Sequence, residues 1–336
     1  MADTVRVGIV GFTGYSGMEL VKFLQRHPHV EPVLLEHRSQ LPDEGSCWET
    51  DPERIPWLPE GLCDSGIQLV FFATPHEVSL ELVPAALDTG VKVIDLSGAF
   101  RLRTVDKYSR WYQMEHDRPD LLEEAVYGLP EYFRAVTKVA RLVSNPGCYP
   151  TAASLAIRPL ITAGVLAREA GVICDAKSGV SGAGKKPSRK THFCSVTDNF
   201  SAYAILEHRH VPEVLLTTDL EEHELSFTAQ LLPVYRGILE TIYVRTEEEM
   251  TREELANVYH KVYDKEPFVR VYPDGSLPSL DSVNHTNYCD LGIRVDSKTR
   301  RAVIVAAIDN LGKGAAGQAV QNMNLVLGFP EACGLL

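Results

Sequence analysis

Val5-Arg6-Val7-Gly8-Ile9-Val10-Gly11-Phe12-Thr13-Gly14-Tyr15-Ser16-Gly17 is the stretch on which the fold turns. Its first six residues are mostly apolar and β-branched, as a strand buried on both faces requires. Gly11-x-x-Gly14-x-x-Gly17 follows at once. Residues 18–26 then carry apolar side chains at Leu20, Val21, Phe23 and Leu24, the stripe of a helix. A glycine-rich turn between strand and helix is the setting of a dinucleotide fingerprint. The first glycine permits the tight turn, the second lets backbone amides approach a pyrophosphate, and the third allows close helix–strand packing. The phosphate then meets the positive end of the helix. Gly11, Thr13, Gly14, Tyr15, Ser16 and Gly17 form this candidate cradle. The spacing differs slightly from GxGxxG, and a turn without a ligand is the plain alternative.

Outward from that stretch, Pro28 stops the helix and residues 31–36 read as a second strand. Strand-like runs at 67–73 and 91–96 flank a helical stretch around 79–87. This alternation predicts a parallel sheet with crossover helices. The second strand ends in Glu36-His37-Arg38-Ser39. A carboxylate there serves the ribose 2′-OH of NAD, whereas Arg with a hydroxyl seats the 2′-phosphate of NADP. Arg38 and Ser39 favour NADP(H), with a solvated loop as the other possibility. Past residue 145 the character changes. A helix over 150–161 and a strand over 171–177 lead into a Gly/Ser/Lys-rich segment, 178–189. Runs at 226–232, 238–245, 288–295 and 302–308 read as strands of a mixed, largely antiparallel sheet, with helices over 251–263 and 314–327.

The 336 residues suggest about two domains. Apolar residues at 45% and charged residues at 23% exclude a disordered or collagenous chain. With 45 acidic against 33 basic residues the formal net charge is −12, which makes nucleic acid or a membrane surface a poor partner. An anionic ligand must therefore be met by a local cluster of donors. Seven cysteines without a CxxC pair, and a start lacking basic and apolar signal regions, point to a reduced, cytoplasmic protein.

Ser144-Asn145-Pro146-Gly147-Cys148-Tyr149-Pro150-Thr151-Ala152 is the sharpest chemical feature. A thiol directly before a helix feels the helix dipole and the free first-turn amides, which favour thiolate, the nucleophilic form. Cys47, Cys63, Cys174, Cys194, Cys289 and Cys333 lack that setting and read as structural. His208-Arg209-His210-Val211-Pro212-Glu213 offers a base. If this segment is extended, both imidazoles point to one side, and either can approach Cys148. Two histidines can equally hold a metal, but no third ligand stands at zinc spacing, so no metal is expected. Surface histidines are the plainer alternative. Arg101 ends a strand-to-loop segment at the carboxyl edge of the sheet, where its planar fork suits a phosphate or a carboxylate. An Arg in a surface ion pair is the alternative there. Ser178, Ser181 and Gly182 belong to the Gly-rich stretch, whose amides and hydroxyls can cradle phosphates.

These residues resemble a known family. The run from Ser144 to Ala152, followed by Ile157-Arg158-Pro159, is similar to the active-site signature of the type 1 N-acetyl-gamma-glutamyl-phosphate reductases, of the aspartate-semialdehyde dehydrogenase-like superfamily. Gly14 to Leu20, Leu96 to Arg101, Ser178 to Lys185, His208 to Glu213 and Asn310 to Asn322 also look like its segments, in order, along nearly the whole chain. The resemblance implies an α/β protein. Residues 1–147 would be an NADP-binding Rossmann domain completed by a C-terminal helix, 313–336. Residues 148–312 would be an α+β domain for catalysis, substrate binding and oligomerisation. It implies Cys148 as nucleophile and His208 as base, with Arg101, His210 and Ser178 at the substrate. Ser181, Gly182 and Asn310 would join the cofactor contacts. NADPH-dependent reduction of an acyl phosphate through a cysteine thioester, in arginine biosynthesis and in a dimer or tetramer, is the activity implied. Two departures stand out. Phe12 occupies a place where small residues are commoner, and Glu207, in place of a glycine, either raises the pKa of His208 or faces solvent. A reductase of a one-methylene-longer aminoadipyl phosphate and a catalytically silent dinucleotide sensor are the alternatives.

Overall fold

The computed structural model describes residues 4–37 and 51–336. It divides into two compact units, residues 1–147 with 315–336, and residues 148–314. In the first, β1 (Val5–Val10), α1 (Tyr15–Gln25), β2 (Val30–Glu36) and β3 (Glu53–Pro56) come in chain order. Then follow β4 (Ile67–Phe72), α2 (His76–Asp88), β5 (Lys92–Asp95), α3 (Val105–Trp111) and α4 (Pro119–Glu124). β6 (Val126–Tyr127), α5 (Pro130–Thr137) and β7 (Leu142–Ser144) complete the run.

The sheet order is β3-β2-β1-β4-β5-β7-β6, and every pairing is parallel. β1 is central and fully buried over Val7, Ile9 and Val10, which is why its sequence from Val7 onward carries no polar side chain. The chain turns to opposite sides of β1 to make β2 and β4, so the crevice at their carboxyl ends is a topological switch point, where ligands of such sheets bind. α1 covers the sheet with Leu20, Val21 and Leu24, all fully buried, each contributing roughly 1.5–3 kcal/mol.

The second unit holds α6 (Cys148–Thr162), β8 (Val172–Gly179), α7 (Phe193–Val196), β9 (Ser201–Tyr203) and α8 (Val211–Thr218). β10 (Leu225–Leu232), β11 (Ile238–Arg245), α9 (Arg252–Tyr263), β12 (Val269–Val271), β13 (Cys289–Asp296) and β14 (Arg301–Ile308) follow. Its seven strands run β12-β13-β14-β11-β8-β10-β9. β8 with β10 and β12 with β13 are parallel and the other pairings antiparallel, the mixed sheet the sequence predicts. α10 (Gly317–Leu327), entered through a π-helical turn at Gly312–Ala316, belongs to the first unit and is buried over nearly its whole length.

α6 illustrates how the sequence is accommodated. Pro159 lies inside it and has no N–H to give the carbonyl of Leu155. The Tyr263 hydroxyl of α9 donates to that carbonyl at 2.6 Å instead, and Tyr259 donates to Ala156 O at 2.6 Å. The helix therefore continues past the proline. α9 itself opens on a capping box, with Thr251 Oγ1 accepting from the Glu254 amide at 3.2 Å.

Two sequence expectations need correction. Residues 208–213 are not extended: His208 to His210 form a turn into α8, with Pro212 in its first turn, where a missing N–H costs nothing. Of the cysteines read as structural, Cys174 and Cys289 are buried and Cys333 is half-buried, but Cys63 and Cys194 are exposed. Cys47 lies outside the described residues.

Candidate active site

Cys148 is the first residue of α6, reached through the turn Asn145-Pro146-Gly147. Asn145 is pinned by its backbone and its side chain. Its amide donates to Asp95 O at 2.8 Å, its Nδ2 to Ala315 O at 3.1 Å, and its carbonyl accepts from Arg101 Nε at 2.8 Å. Arg101, only 8% exposed, also donates from Nη2 to Leu96 O at 2.8 Å. Asp95 is wholly buried, and burial pushes its acid up against the Ser97 hydroxyl and amide that bond it.

Within the second unit Cys148 opens on a cavity of about 850 Å³ shared with Tyr149, Ser178, Gly182, His208 and His210. Arg189, Lys190 and Arg209 line the same cavity. In a chain with net charge −12, these are the local cations that an anionic ligand needs. On the other side the backbone of Gly314 presses close: a Cβ there would stand 2.9 Å from the Cβ of Cys148.

His208 is 7% exposed and enclosed by rings. Tyr149 stands edge-on at 5.4 Å between centroids, Tyr203 at 5.6 Å, Phe227 at 5.6 Å and His210 at 4.8 Å. Burial, then the nearby Arg209 charge, lower its pKa to about 4, so it is neutral at pH 7. The His210 amide donates to His208 Nδ1 at 3.2 Å. Glu207 is exposed on the cavity rim, and the pKa of His208 moves down rather than up. Tyr149 donates its hydroxyl to Gln230 O at 3.2 Å, so the Tyr203 hydroxyl, 3.2 Å away, donates to Tyr149. Burial holds both phenols un-ionised. Despite the turn, the two imidazoles still meet, because the reversal at Arg209 brings them together.

Ser178, Ser181, Gly182 and Asn310 pack as one group. Asn310 Nδ2 donates to Ser181 Oγ at 2.9 Å, Asn310 Oδ1 accepts from the Gly237 amide at 2.7 Å, and a Cβ on Gly182 would meet Ser178 Oγ at 2.9 Å. Asp309, next in the chain, is fully buried and ion-paired with Arg236 at 2.9 Å, while its Oδ1 accepts from the amides of Leu311 and Gly312. This carboxylate shapes the turn that carries Gly314 to Cys148. Nothing in the local sequence announced Tyr203 or Arg236. Tyr149 and Arg209 sit inside the motifs already singled out and could have been read there.

In the first unit the glycine turn has the geometry a dinucleotide needs. Gly11 has φ +82°, and a Cβ there would lie 2.5 Å from Ala73 O. A Cβ on Gly17 would lie 2.3 Å from Gly11 O, so only glycine lets α1 approach the turn. At Gly14 the nearest atom to a Cβ is 3.5 Å away, which leaves the outer side of the turn open to a ligand. No side chain caps α1 and its first turn carries no acid, so its amides suit a pyrophosphate. Thr13, Tyr15 and Ser16 are half-buried around it, and Phe12 is buried, with Arg54 over its ring at 5.7 Å. Glu36 is exposed at the end of β2; Arg38 and Ser39 lie outside the described residues.

A family model described as the semialdehyde dehydrogenase NAD binding domain matches residues 6–140, and one described as the semialdehyde dehydrogenase dimerisation domain matches 148–310. A curated N-acetyl-gamma-glutamyl-phosphate reductase of Symbiobacterium thermophilum is 49% identical, over 99% of this chain and 98% of that protein. One of Syntrophobacter fumaroxidans is 44% identical, over 98% of both. The chain belongs to the N-acetyl-gamma-glutamyl-phosphate reductase family. Among solved structures, aspartate semialdehyde dehydrogenase II of Vibrio cholerae superposes with a TM-score of 0.72 at 19% identity, over 97% of this chain and 99% of that one. A probable aspartate-semialdehyde dehydrogenase of Pseudomonas aeruginosa gives 0.70 at 22%, over 97% and 99%. These two establish that the reductase family shares its fold with the semialdehyde dehydrogenases. Among the described residues no helix is long and apolar enough to cross a membrane.

Proposed function

We propose that this chain is an NADP-dependent oxidoreductase of arginine biosynthesis. It converts N-acetyl-gamma-glutamyl phosphate to N-acetyl-glutamate 5-semialdehyde and phosphate. The observation that carries the reading is a cysteine at the head of α6, opening on a cation-lined cavity beside a neutral, ring-enclosed histidine. The names of the related reductases and their identity over nearly the full length support the substrate.

Cys148 Sγ attacks the acyl carbonyl, the C–O bond to phosphate breaks, and a thioester remains. Its place at the helix start favours thiolate, and the first-turn amides face the oxyanion. Arg189, Lys190 and Arg209 meet the phosphate and carboxylate of the substrate, and His210 and Ser178 line its path. Arg101, through Asn145, holds the turn from which the sulfur projects. NADPH, when bound, would supply the hydride; Gly11 to Gly17 would cradle its pyrophosphate, Arg38 and Ser39 would select its 2′-phosphate, and Ser181, Gly182 and Asn310 would be further cofactor contacts. The aldehyde forms as the C–S bond breaks. His208 is the imidazole that meets the reacting carbonyl.

The first unit carries the cofactor and the second the acyl chemistry and the subunit contacts. The face of the second sheet that presents Ile173 (52% exposed) opposite Tyr243 (44% exposed) is the surface on which a second copy docks, and the enzyme works as a homodimer in the cytoplasm. The test is phosphate-dependent NADP reduction by N-acetylglutamate semialdehyde, with light scattering of wild type and Tyr243→Glu for the dimer. Turnover of the shorter aldehyde supports the assignment. Preference for the one-methylene-longer aldehyde transfers it to the aminoadipyl substrate, and no turnover with retained NADPH binding makes the chain a sensor.

A further inference from the structure

Phe12 stands in the glycine turn where small residues are commoner, and nothing in the acyl chemistry uses it. Its ring is 2% exposed and lies under the guanidinium of Arg54, whose Cζ is 5.7 Å from the ring centroid. An aromatic face attracts such a cation, and the contact steadies a side chain that would otherwise swing through many rotamers. Arg54 belongs to β3, the edge strand of the first sheet. It pairs with Leu34 of β2, which in turn pairs with Ile9 of β1. These three residues form a row that runs in from the sheet edge to the strand feeding the turn.

We infer that Arg54 reads the 2′-phosphate of the dinucleotide, with Phe12 as the platform that holds its guanidinium at the glycine turn. This rests on the reductase reading above. The pyrophosphate is met by the amides at the start of α1, which no side chain caps. The adenosine ribose of such a ligand falls at the end of β2, and β3 is the strand that flanks β2 on the outer side. Arg54 is lightly held there. Its ion pair among the described residues is with Asp51 at 4.0 Å, with the two side chains 38% and 62% exposed, and a pair so open to water contributes little. A guanidinium resting on a ring keeps its N–H edge for a ligand, and its fork matches two oxygens of a phosphate.

Glu36 gives this cation its importance. The carboxylate, exposed at the end of β2, suits the free ribose hydroxyls of NADH and repels a 2′-phosphate. Leu34 and Glu36 pair with Arg54 and Pro56, so Arg54 stands two register positions from the acid on the adjoining strand and offsets its charge. The end of β4, on the inner side, offers groups already engaged: the Thr74 hydroxyl pairs with Ser79 at 2.7 Å, and His76 Nε2 lies 3.2 Å from Glu77. Arg54 thus adds to Arg38 and Ser39 a cation from a different strand, fixed by Phe12 before the nucleotide arrives, which lowers the entropy lost on binding.

Fluorescence titration with NADPH and with NADH reads this without turnover, on the wild type, Arg54→Met, Phe12→Leu and the double variant. Methionine keeps the stem and loses the charge, whereas leucine keeps the burial and loses the ring face. Arg54→Met should weaken NADPH about tenfold, the worth of one charge-assisted bond at a partly exposed site, and NADH by less than about twofold. Phe12→Leu should lower the same preference by about two- to fivefold. The double variant should lose little beyond Arg54→Met, because the ring acts through the guanidinium. Equal losses for the two dinucleotides, no loss for either, or additive effects in the double variant overturn the inference. If Phe12→Leu melts far below the wild type, the Arg54→Met titration decides alone. A wild type that binds neither dinucleotide defeats the reductase reading instead, before any variant is compared.

Discussion

Arg101→Met tests how the nucleophile is held. The bonds of the guanidinium include charge-assisted ones to Asn145 O and Leu96 O at 2.8 Å each, from a site only 8% exposed. Hydrogen bonds to charged groups contribute about 1.5–3 kcal/mol each. Methionine keeps the stem's packing, and the freed carbonyls can recruit water, so a net loss of about 3 kcal/mol follows rather than the full sum. At roughly 2–4 °C per kcal/mol, the melting temperature should fall by about 6–12 °C. The turn before Cys148 loosens at the same time, so kcat should fall by more than KM rises. Lysine cannot reproduce the fork, and Arg101→Lys should recover less than half of the lost stability. The assays are differential scanning calorimetry and steady-state kinetics with the acyl phosphate varied. A variant that melts with the wild type while KM rises tenfold or more would refute the bracing role and place Arg101 on the substrate.

Cys148→Ser should abolish turnover and leave NADPH affinity near normal, measured by fluorescence titration; comparable losses in both would break the assignment. Arg38→Ala should weaken NADPH by one to two orders of magnitude, roughly 1.4 kcal/mol per tenfold, and spare NADH; equal losses return Glu36 to the role. Gly17→Ala forces a methyl to within 2.3 Å of Gly11 O, so NADPH binding should collapse before Cys148 alkylation changes. His27, His116 and His208 all have lowered pKa values, chiefly through burial, so the unfolded chain binds more protons than the native one below their ordinary value of 6.5. Stability should therefore fall as pH drops from about 6.5 toward 4, and His116→Gln should flatten that slope in urea titrations. Burial holds the Glu240 acid protonated well above its usual range, so its penalty grows as pH rises above 4.5. Glu240→Gln should accordingly gain stability at pH 8 relative to pH 5.

The strand–turn–helix at residues 5–25 was legible because each local signal agreed: a run of β-branched residues, three glycines at the spacing a tight turn demands, and an apolar helical stripe. The same holds for the place of Cys148 at the head of α6, since where a helix begins is a local property. The 208–213 segment shows what local reading misses. Alternating histidines predict one shared face in a strand and a different meeting in a turn, and only Pro212, Tyr149 and Phe227 packed around them decide between the two. The hydrogen bond that His208 Nδ1 accepts comes from one backbone amide whose direction the turn sets. Arg101 and Asn310 have side chains that suit a ligand, and each also bonds a partner far along the chain, 44 and 129 residues away. Composition and spacing determine which groups a chain offers and which elements form. Which of those groups face a ligand, and in what protonation state, is set by burial and by hydrogen bonds between residues far apart in sequence, and these exist only once the tertiary structure has closed.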